Sequence, residues 1–233
     1  MKTEHPQPNL IFQDQDILVI HKPAGLLSIP DGYDTSLPHL KSILEPEYGP
    51  LWIVHRLDKE TSGVMVLARH VEAHRALNAS FRGHAVQKQY HGLIAPVPDW
   101  REKVIELPLA VNADRKHRTR VDEAKGKPAW TRCQVLKYFP YGVLMMIEIR
   151  TGLTHQIRSH LRANDLALLG DTLYQAGLEM PPISAPRTML HAREITFPHP
   201  ASGQTVLFSA PYPDDFRTAY TELAITRDPG IGI

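Results

Sequence analysis

Prolines are spread along the entire chain and limit the length of any regular element. The sequence contains 20 of them among its 233 residues. Because proline fixes φ and lacks a backbone N–H, it is rare inside helices and central strands and common in turns. The chain is therefore expected to fold into many short elements that are joined by defined turns.

Apolar and β-branched runs predict strands more often than helical periodicity predicts helices. Strands are expected at residues 16–21, 51–57, 63–69, 86–95, 143–150, 189–196 and 205–210. Helices are expected at residues 71–81, 155–163 and 214–224, with Thr154 as a candidate N-cap of the second. This order indicates an α+β fold with a mixed, mainly antiparallel central sheet and flanking helices. The sequence shows no repeat or flexible linker, so a single catalytic domain over residues 1–233 is expected.

Composition excludes several classes of protein. Hydrophobic residues make up 42% and charged residues 22%, which is ordinary for a folded globular chain and unlike a disordered, collagen-like or coiled-coil chain. No apolar run approaches the length needed to cross a bilayer, and the N-terminus lacks a secretory signal. A lone cysteine, Cys133, cannot form an internal disulfide framework. We expect a cytoplasmic protein and, without a heptad repeat, a monomer.

Positive charge is concentrated in two stretches, although the net charge is only +1. Residues 112–132 hold seven basic and three acidic side chains. Residues 150–162 hold three arginines and two histidines and no acid. Either stretch could contact phosphate, whereas a solvated surface is the simpler interpretation of a single charge run.

Signatures of the common cofactor sites are missing. The sequence has no GxGxxG, GxxxxGK[ST], GxSxG or HExxH pattern. His70 and His74 lie four residues apart, but the sequence suggests no third metal ligand nearby, so a surface pair is expected. We expect no cofactor and no metal. A metal-dependent hydrolase that uses some of the 13 histidines remains an alternative.

A polar loop between two apolar strands is the first candidate for catalysis. Residues 52–67 read WIVHRLDKETSGVMVL, so Asp58 lies between two core segments. This placement can hold a carboxylate at the rim of a sheet and limit its movement. An ordinary hairpin turn, in which Asp58 and Thr61 bind backbone amides, explains the stretch equally well when it is taken alone.

A second candidate lies where a predicted strand ends and a helix begins, at residues 147–161. His155, Arg158 and Arg162 follow spacings of three and four, which place them on one helix face. If Arg158 meets Asp58, its positive charge favours the ionised, nucleophilic form of the carboxylate. A solvated arginine or a surface ion pair is the alternative.

Several segments together resemble the motifs of the RluA family of RNA pseudouridine synthases. The likeness extends over residues 11–211, and its order and spacing make it specific although each piece is weak alone. The matching segments are HKPAGL at 21–26, HRLD at 55–58, TSG at 61–63, KQY at 88–90, TG at 151–152, HQIR at 155–158 with His160, LGD at 169–171 and LHA at 190–192.

The resemblance implies the pseudouridine synthase catalytic fold and an isomerase that converts uridines in ribosomal or transfer RNA to pseudouridine. Such a reaction needs a base displaced from the stack, a carboxylate and a group that moves a proton, and it needs no cofactor or metal. An RNA stem-loop is the implied partner, whereas DNA and membranes are not expected. A non-catalytic RNA-binding protein of the same fold is the alternative.

Roles for five residues follow from the resemblance. Asp58 is implied to be the nucleophile, Arg158 its partner, and Tyr90 the residue that stacks on uracil and assists proton transfer. Arg56 is implied to enter the RNA where the flipped uridine leaves, and Ile157 to line the uracil pocket. Structural roles remain open for three of them: a salt bridge for Arg56, a half-buried strand position for Tyr90, and core packing for Ile157.

Two positions depart from the family pattern. His21 stands where the first motif usually has Asn, and Leu153 stands where the arginine motif usually has another Arg. The second change removes a possible phosphate contact, so RNA affinity or target choice could differ. Because the chain begins close to the first motif, the resemblance implies a branch without an N-terminal RNA-binding domain, in which the catalytic domain itself recognises RNA.

Overall fold

Short strands and helices alternate along residues 5–183 and 185–226, the part of the chain that the computed structural model describes. In chain order the first elements are β1 (Asn9–Gln13), β2 (Ile17–Lys22), α1 (Leu40–Tyr48), β3 (Trp52–Ile53), β4 (Ser62–Ala68), α2 (Val71–Arg82), β5 (Gln87–Ala95), β6 (Glu102–Ile105), β7 (Leu109–Ala110) and β8 (Arg120–Val121). The later elements are β9 (Thr131–Phe139), β10 (Gly142–Ile149), α3 (Gln156–Arg162), β11 (Ala167–Leu168), β12 (Leu190–Pro198), β13 (Thr205–Ser209) and α4 (Asp214–Ile225). The longest elements, α2 and α4, have 12 residues each, so the elements are short, as the proline distribution predicts.

The elements group into two compact units, and each is described by itself. The first unit comprises the chain up to residue 89 together with residues 191–211. The second comprises residues 90–190 and the chain from residue 212 onward. A single catalytic domain over residues 1–233 stays a prediction.

A mixed sheet forms the centre of the first unit. β2 and β4 are antiparallel, and β4 runs parallel to β12. β1, β3 and β13 add to β2, β4 and β12 in antiparallel fashion. All seven residues of β4 are buried, which is typical of a strand covered on both faces. The core of this unit consists of Ile17, Val19, Val64, Val66, Ala68, Ala73, Leu77, Val86, Ile195, Phe197 and Ala210.

The predicted strand at residues 51–57 is much shorter than expected, since only Trp52–Ile53 pairs with β4. The ladder runs from Trp52↔Ala68 to Ile53↔Leu67 and then stops. At the next position along β4, the Val66 N–H donates to the side-chain Nε2 of His55 at 3.1 Å and not to a backbone carbonyl of β3. A side chain has therefore replaced a backbone partner, and residues 54–57 leave the sheet.

Antiparallel pairing dominates the second unit. β9 and β10 form a hairpin, β6 pairs with β9, β11 pairs with β5, and β7 pairs with β8. Helix α4 packs its buried residues into this unit's core, which consists of Leu93, Ala95, Phe139, Leu144, Leu169, Met189, Phe216, Ala219 and Leu223. The mixed, mainly antiparallel sheets with helices beside them confirm the predicted α+β class.

Helix α3 begins one residue later than predicted. The N-cap is His155, whose φ of 54° lies in the left-handed region, so the assignment of Thr154 as N-cap is wrong. The N-cap makes no side-chain hydrogen bond to the first turn, and the side chain of Gln156 holds the segment that precedes the helix. Its Oε1 accepts the Thr151 hydroxyl at 2.8 Å and the Leu153 N–H at 3.2 Å, which satisfies a backbone donor before the first turn.

Four substantial elements escape sequence prediction: β1, α1, β6 and β9. Helix α1 contains Pro46, which resembles a turn residue in the sequence. Strand β9 buries every second residue only over its first half and carries polar side chains between them. Within residues 5–183 and 185–226, every helix is too short or too polar to cross a lipid bilayer.

Candidate active site

The predicted site residues belong to both units, and each group is described within its own unit. Arg56 and Asp58 lie in the first unit, in the segment of residues 54–61 between β3 and β4, which we call the Asp58 loop. Tyr90, Ile157 and Arg158 lie in the second unit, in β5 and α3.

The polar residues of the Asp58 loop differ in exposure, and an apolar residue anchors the loop. Arg56 is exposed and Asp58 is half-buried, whereas Leu57 between them is buried. The loop closes in a tight turn, in which the Thr61 N–H donates to the Asp58 carbonyl at 3.0 Å. The carboxylate is therefore presented from a fixed backbone rather than from a mobile tip.

Residues 22–28, which begin with the last residue of β2, hold the Asp58 loop from one side. The fully buried Lys22 donates from Nζ to the carbonyls of Pro23 (2.8 Å), Leu26 (2.7 Å) and Lys59 (3.2 Å). The Gly25 N–H also donates to the Lys59 carbonyl, at 2.8 Å. An ammonium that binds three carbonyls replaces much of the hydration it loses on burial. The HKPAGL segment thus has a structural role that its sequence does not indicate.

A buried serine holds the same loop one step earlier. The hydroxyl of Ser28 donates to the Leu57 carbonyl at 2.7 Å and accepts the Leu57 N–H at 3.1 Å. Both backbone groups of the residue before Asp58 are therefore satisfied by one side chain. Together with Lys22, Ser28 fixes the backbone immediately before and after the aspartate.

His55 supports the loop in its neutral form. Its ring stacks on Phe81 at a centroid distance of 4.9 Å. Burial, and to a smaller extent the positive charge of Lys88, lower the pKa of His55 to about 3. The neutral ring can then accept the Val66 N–H, which a protonated imidazole cannot do.

The TSG and LHA segments meet where β4 runs beside β12. Gly63 has a φ of +129°, and a Cβ there would lie 2.2 Å from the Ala192 carbonyl oxygen, so only glycine fits. His191 donates from Nε2 to the Ala210 carbonyl at 3.1 Å, which leaves Nδ1 to accept the Ser62 hydroxyl at 2.9 Å. These contacts fix the strand that follows the Asp58 loop.

In the second unit, Arg158 lies in a rigid setting that we call the Arg158 cradle, formed by Asp171 and Tyr174. Arg158 donates from Nε and Nη2 to the two carboxylate oxygens of the fully buried Asp171, at 2.7 and 2.6 Å. Its guanidinium carbon lies 4.9 Å from the centroid of the Tyr174 ring. A bidentate pair fixes the plane of the guanidinium, and the ring adds a cation–π contact.

Tyr174 connects the cradle to the segment that precedes β8. Its hydroxyl accepts the Thr119 N–H at 2.8 Å and donates to the Thr119 carbonyl at 3.2 Å. Burial raises the pKa of Tyr174 above its usual value of 10.0, so the phenol remains protonated at neutral pH. The tyrosine can therefore serve both as a ring platform and as a hydrogen-bond donor.

The sequence does not predict the contacts of Arg158 with Asp171 and Tyr174. Asp171 belongs to the LGD segment that resembles the family, but the resemblance gives neither residue a role. Tyr90 and Ile157 are both buried, so either a core role or a pocket role is compatible with their positions. The pairing of Arg158 with Asp58 stays a prediction.

Among the described residues, one group has side-chain atoms arranged closely enough to hold a metal. Ligand atoms of Asp14, Asp16 and His199 lie within 4.8 Å of one another. Asp14 already accepts the backbone N–H groups of Asp16 and Ile17, both at 2.8 Å, and His199 Nε2 at 2.8 Å. These contacts tie the β1–β2 turn to residues just after β12, which is a sufficient structural role.

Sequence comparisons give consistent matches. A family model described as RNA pseudouridylate synthase matches residues 16–163. The dual-specificity RNA pseudouridine synthase RluA of Escherichia coli (strain K12) is 34% identical over 89% of this chain and 94% of its own length. The ribosomal large subunit pseudouridine synthase D of Pseudomonas aeruginosa is 33% identical over 96% of this chain and 74% of its own length.

Solved structures give the same picture at the level of the fold. The human RNA pseudouridylate synthase domain containing 4 has a TM-score of 0.75 at 24% identity and covers 92% of each chain. The human RNA pseudouridylate synthase domain containing 1 has a TM-score of 0.74 at 22% identity and covers 96% of this chain and 97% of its own.

Proposed function

Because the chain belongs to the RNA pseudouridylate synthase family, we propose that it isomerises specific uridines of ribosomal or transfer RNA to pseudouridine. The observation that carries this proposal is Asp58 in its HRLD segment, half-buried on a loop whose backbone Lys22 and Ser28 hold. The names of two relatives agree with these substrates, since one is a dual-specificity RNA enzyme and the other acts on the large ribosomal subunit.

In the proposed reaction, the substrate and the product have the same composition. The N1–C1′ bond of a flipped uridine breaks, the uracil turns, and a C5–C1′ bond forms. The proton on C5 leaves, and N1 gains a proton. Asp58 supplies the electron pair that opens this sequence, by attacking either the ribose or the uracil ring. The bond that Asp58 forms breaks again before the product leaves, and its electron pair returns to the carboxylate.

The remaining residues act around that carboxylate in the proposal. Arg158 supplies a positive charge, which its cradle keeps in one orientation, and Tyr90 stacks on the uracil and assists proton transfer. Ile157 supplies an apolar wall for the base. Arg56 enters the RNA at the position that the uridine leaves, and its exposure on the Asp58 loop supports this role.

A cytoplasmic location and a monomeric state belong to the same proposal. They rest on the single cysteine and on the lack of a heptad repeat. Size-exclusion chromatography with light scattering tests the second point, for which a mass near 26.3 kDa is expected.

Tritium release tests the proposed activity. The purified full chain is incubated with ribosomal and transfer RNA labelled with [5-³H]uridine, made without modification, in buffer that contains a strong chelator. We expect tritium to be released, since the C5 proton leaves during the reaction. Pseudouridine should appear at a few defined positions of the RNA. RNA binding without tritium release would favour the non-catalytic alternative, and activity that the chelator abolishes would favour a metal enzyme.

A further inference from the structure

An open cleft in the second unit lies beside helix α3. Its volume is about 390 Å³, within the range of small-ligand sites. Three arginines line it, Arg118, Arg120 and Arg162. Its uncharged polar lining residues are Thr119, Ser159 and Tyr174. We call it the arginine cleft. Tyr174 is shared with the Arg158 cradle.

Charge in this cleft has one sign. Among the described residues that line it, every ionisable side chain that is charged at neutral pH is an arginine. The arginines come from both basic stretches of the sequence, since Arg118 and Arg120 belong to residues 112–132 and Arg162 belongs to residues 150–162. The fold therefore brings charges that are about 40 residues apart in the chain to one surface.

Two of the guanidinium groups are preorganised by a shared carboxylate. Asp114 Oδ2 accepts from Arg118 Nε and from Arg120 Nη2, both at 2.7 Å. The backbone N–H groups of Lys116 and Arg118 hold Asp114 Oδ1, at 3.0 and 3.1 Å. The Arg118 backbone N–H contributes most to lowering the pKa of Asp114, which stays ionised. One negative charge thus orients two positive ones and cannot neutralise both.

The third guanidinium has a weaker restraint. Arg162 donates from Nη1 to Asp165 at 3.0 Å, and the Asp165 side chain is 88% exposed. Exposed ion pairs of this kind contribute little, and an arginine has five N–H donors. Further donors of all three arginines are therefore available to a ligand.

We propose that the arginine cleft binds phosphate groups of the RNA backbone. This inference rests on the proposed function, because an enzyme that acts on RNA needs contacts with its phosphates. Planar guanidinium groups bind phosphate oxygens in bidentate fashion, and three of them on one cleft match a polyanion better than a neutral ligand. Such contacts hold the RNA in register and do not read its sequence.

Replacing single arginines by glutamine tests the cleft. The variants are Arg120→Gln and Arg162→Gln, and the matched control is Arg217→Gln. Arg217 lies on α4 of the same unit and pairs with Asp214 at a spacing of three residues, as Arg162 pairs with Asp165, but it does not line the cleft. The probe is unfractionated bacterial transfer RNA, and dissociation constants are measured by filter binding over a range of KCl concentrations.

Each cleft variant is expected to bind the probe about tenfold more weakly than wild type, as the loss of one charge-assisted contact implies. The slope of log K against log salt should fall by about 0.7 to 0.9 per arginine. Arg217→Gln should match wild type in both. Thermal unfolding confirms that each variant is folded. Cleft variants that bind and respond to salt as Arg217→Gln does would overturn the inference.

Two further outcomes separate the possible explanations. If millimolar inorganic phosphate at constant ionic strength binds wild type but not Arg162→Gln and does not displace RNA from wild type, the cleft is a site for the free anion and the RNA inference fails. If RNA binding depends on the cleft while the tritium assay is negative, the inference stands and the proposed function fails. If tritium is released and the cleft variants bind RNA normally, the inference about the cleft fails and the proposed function stands.

Discussion

The Asp58 loop and the Arg158 cradle fix their central residues by different means. In the loop, a buried lysine and a serine bind backbone carbonyl and N–H groups on both sides of the aspartate. In the cradle, the guanidinium itself is bound, by a fully buried carboxylate and by the face of a ring. The loop contacts therefore support Asp58 through its backbone, whereas the cradle contacts hold Arg158 by its side chain.

This difference suits the chemistry that each residue is proposed to perform. The lysine and serine contacts hold the Asp58 loop by its backbone, so they do not use the carboxylate that attacks the substrate in the proposed reaction. A charge that acts by electrostatic stabilisation works best when it is already oriented before the reaction begins. Substitutions in the Arg158 cradle should therefore affect the free energy of unfolding and turnover, whereas substitutions that loosen the Asp58 loop should affect its local opening.

Breaking the cradle should have the largest effect on stability. Asp171→Asn removes the charged partner of a buried arginine, and we expect the free energy of unfolding to fall by about 3 kcal/mol. Turnover should fall while RNA affinity changes little, because Arg158 loses its orientation. Urea denaturation and tritium release measure the two effects.

Asp215→Asn is the matched control for the cradle. Asp215 also binds an arginine in bidentate fashion, Arg187, at 2.6 and 3.0 Å, but its side chain is 33% exposed. A smaller loss of stability and normal turnover are expected. Equal effects of the two variants would show that the Arg158 cradle is an ordinary ion pair.

Loosening the Asp58 loop should have a smaller effect on global stability. Lys22→Met removes the donor to three carbonyls but also removes a buried charge, so we expect a loss of about 2 kcal/mol. Hydrogen exchange should accelerate at the Gly25 and Thr61 amides, whose bonds close the loop. Unchanged exchange at both amides would refute the role of Lys22. Lys41→Met serves as control, since the Lys41 side chain is 38% exposed.

The mildest prediction concerns pH. The pKa of His55 is about 3 in the folded protein and near 6.5 in the unfolded chain, so the unfolded state binds more protons between these values. The contribution of His55 to stability is present above pH 6.5 and is lost as pH falls, with a slope of up to about 1.4 kcal/mol per unit. Denaturation curves at several pH values measure it.

A variant isolates this contribution from that of other histidines. His55→Gln keeps an acceptor for the Val66 N–H and has no proton to gain, so its stability should fall less steeply below pH 6.5. The exposed His5→Gln should keep the slope of wild type. The same slope in both variants would mean that His55 is protonated in the folded loop.

Much of the fold follows from local sequence patterns. The buried strands β2 and β4 were predicted because they are apolar, β-branched runs, and the helices α2 and α4 because their residues follow helical patterns. Residues 54–57 were predicted wrongly because the imidazole of His55 replaces a backbone partner, which no periodicity indicates. The family resemblance was confirmed because it depends on the order of many segments rather than on any single element.

The candidate site was predictable to a different extent in the two regions. The Asp58 loop could be found because its polar residues stand between two apolar strands that are adjacent in the sequence. The contact of Arg158 with Asp171 could not, since the two residues are 13 positions apart and the end of α3 and β11 lie between them. Lys22 was missed for a similar reason, because its three acceptors are backbone carbonyls that carry no sequence signal.

Substitution of Asp58 tests the central claim most directly. Asp58→Asn keeps the shape of the side chain and removes the nucleophilic carboxylate, and Asp34→Asn, in an exposed part of the same unit, is the control. Tritium release from uridine-labelled RNA is measured for both, with RNA affinity and thermal unfolding as checks of integrity. The account predicts no release by Asp58→Asn and normal release by Asp34→Asn, with both variants folded and bound to RNA. Release by Asp58→Asn at a rate near that of wild type would contradict it.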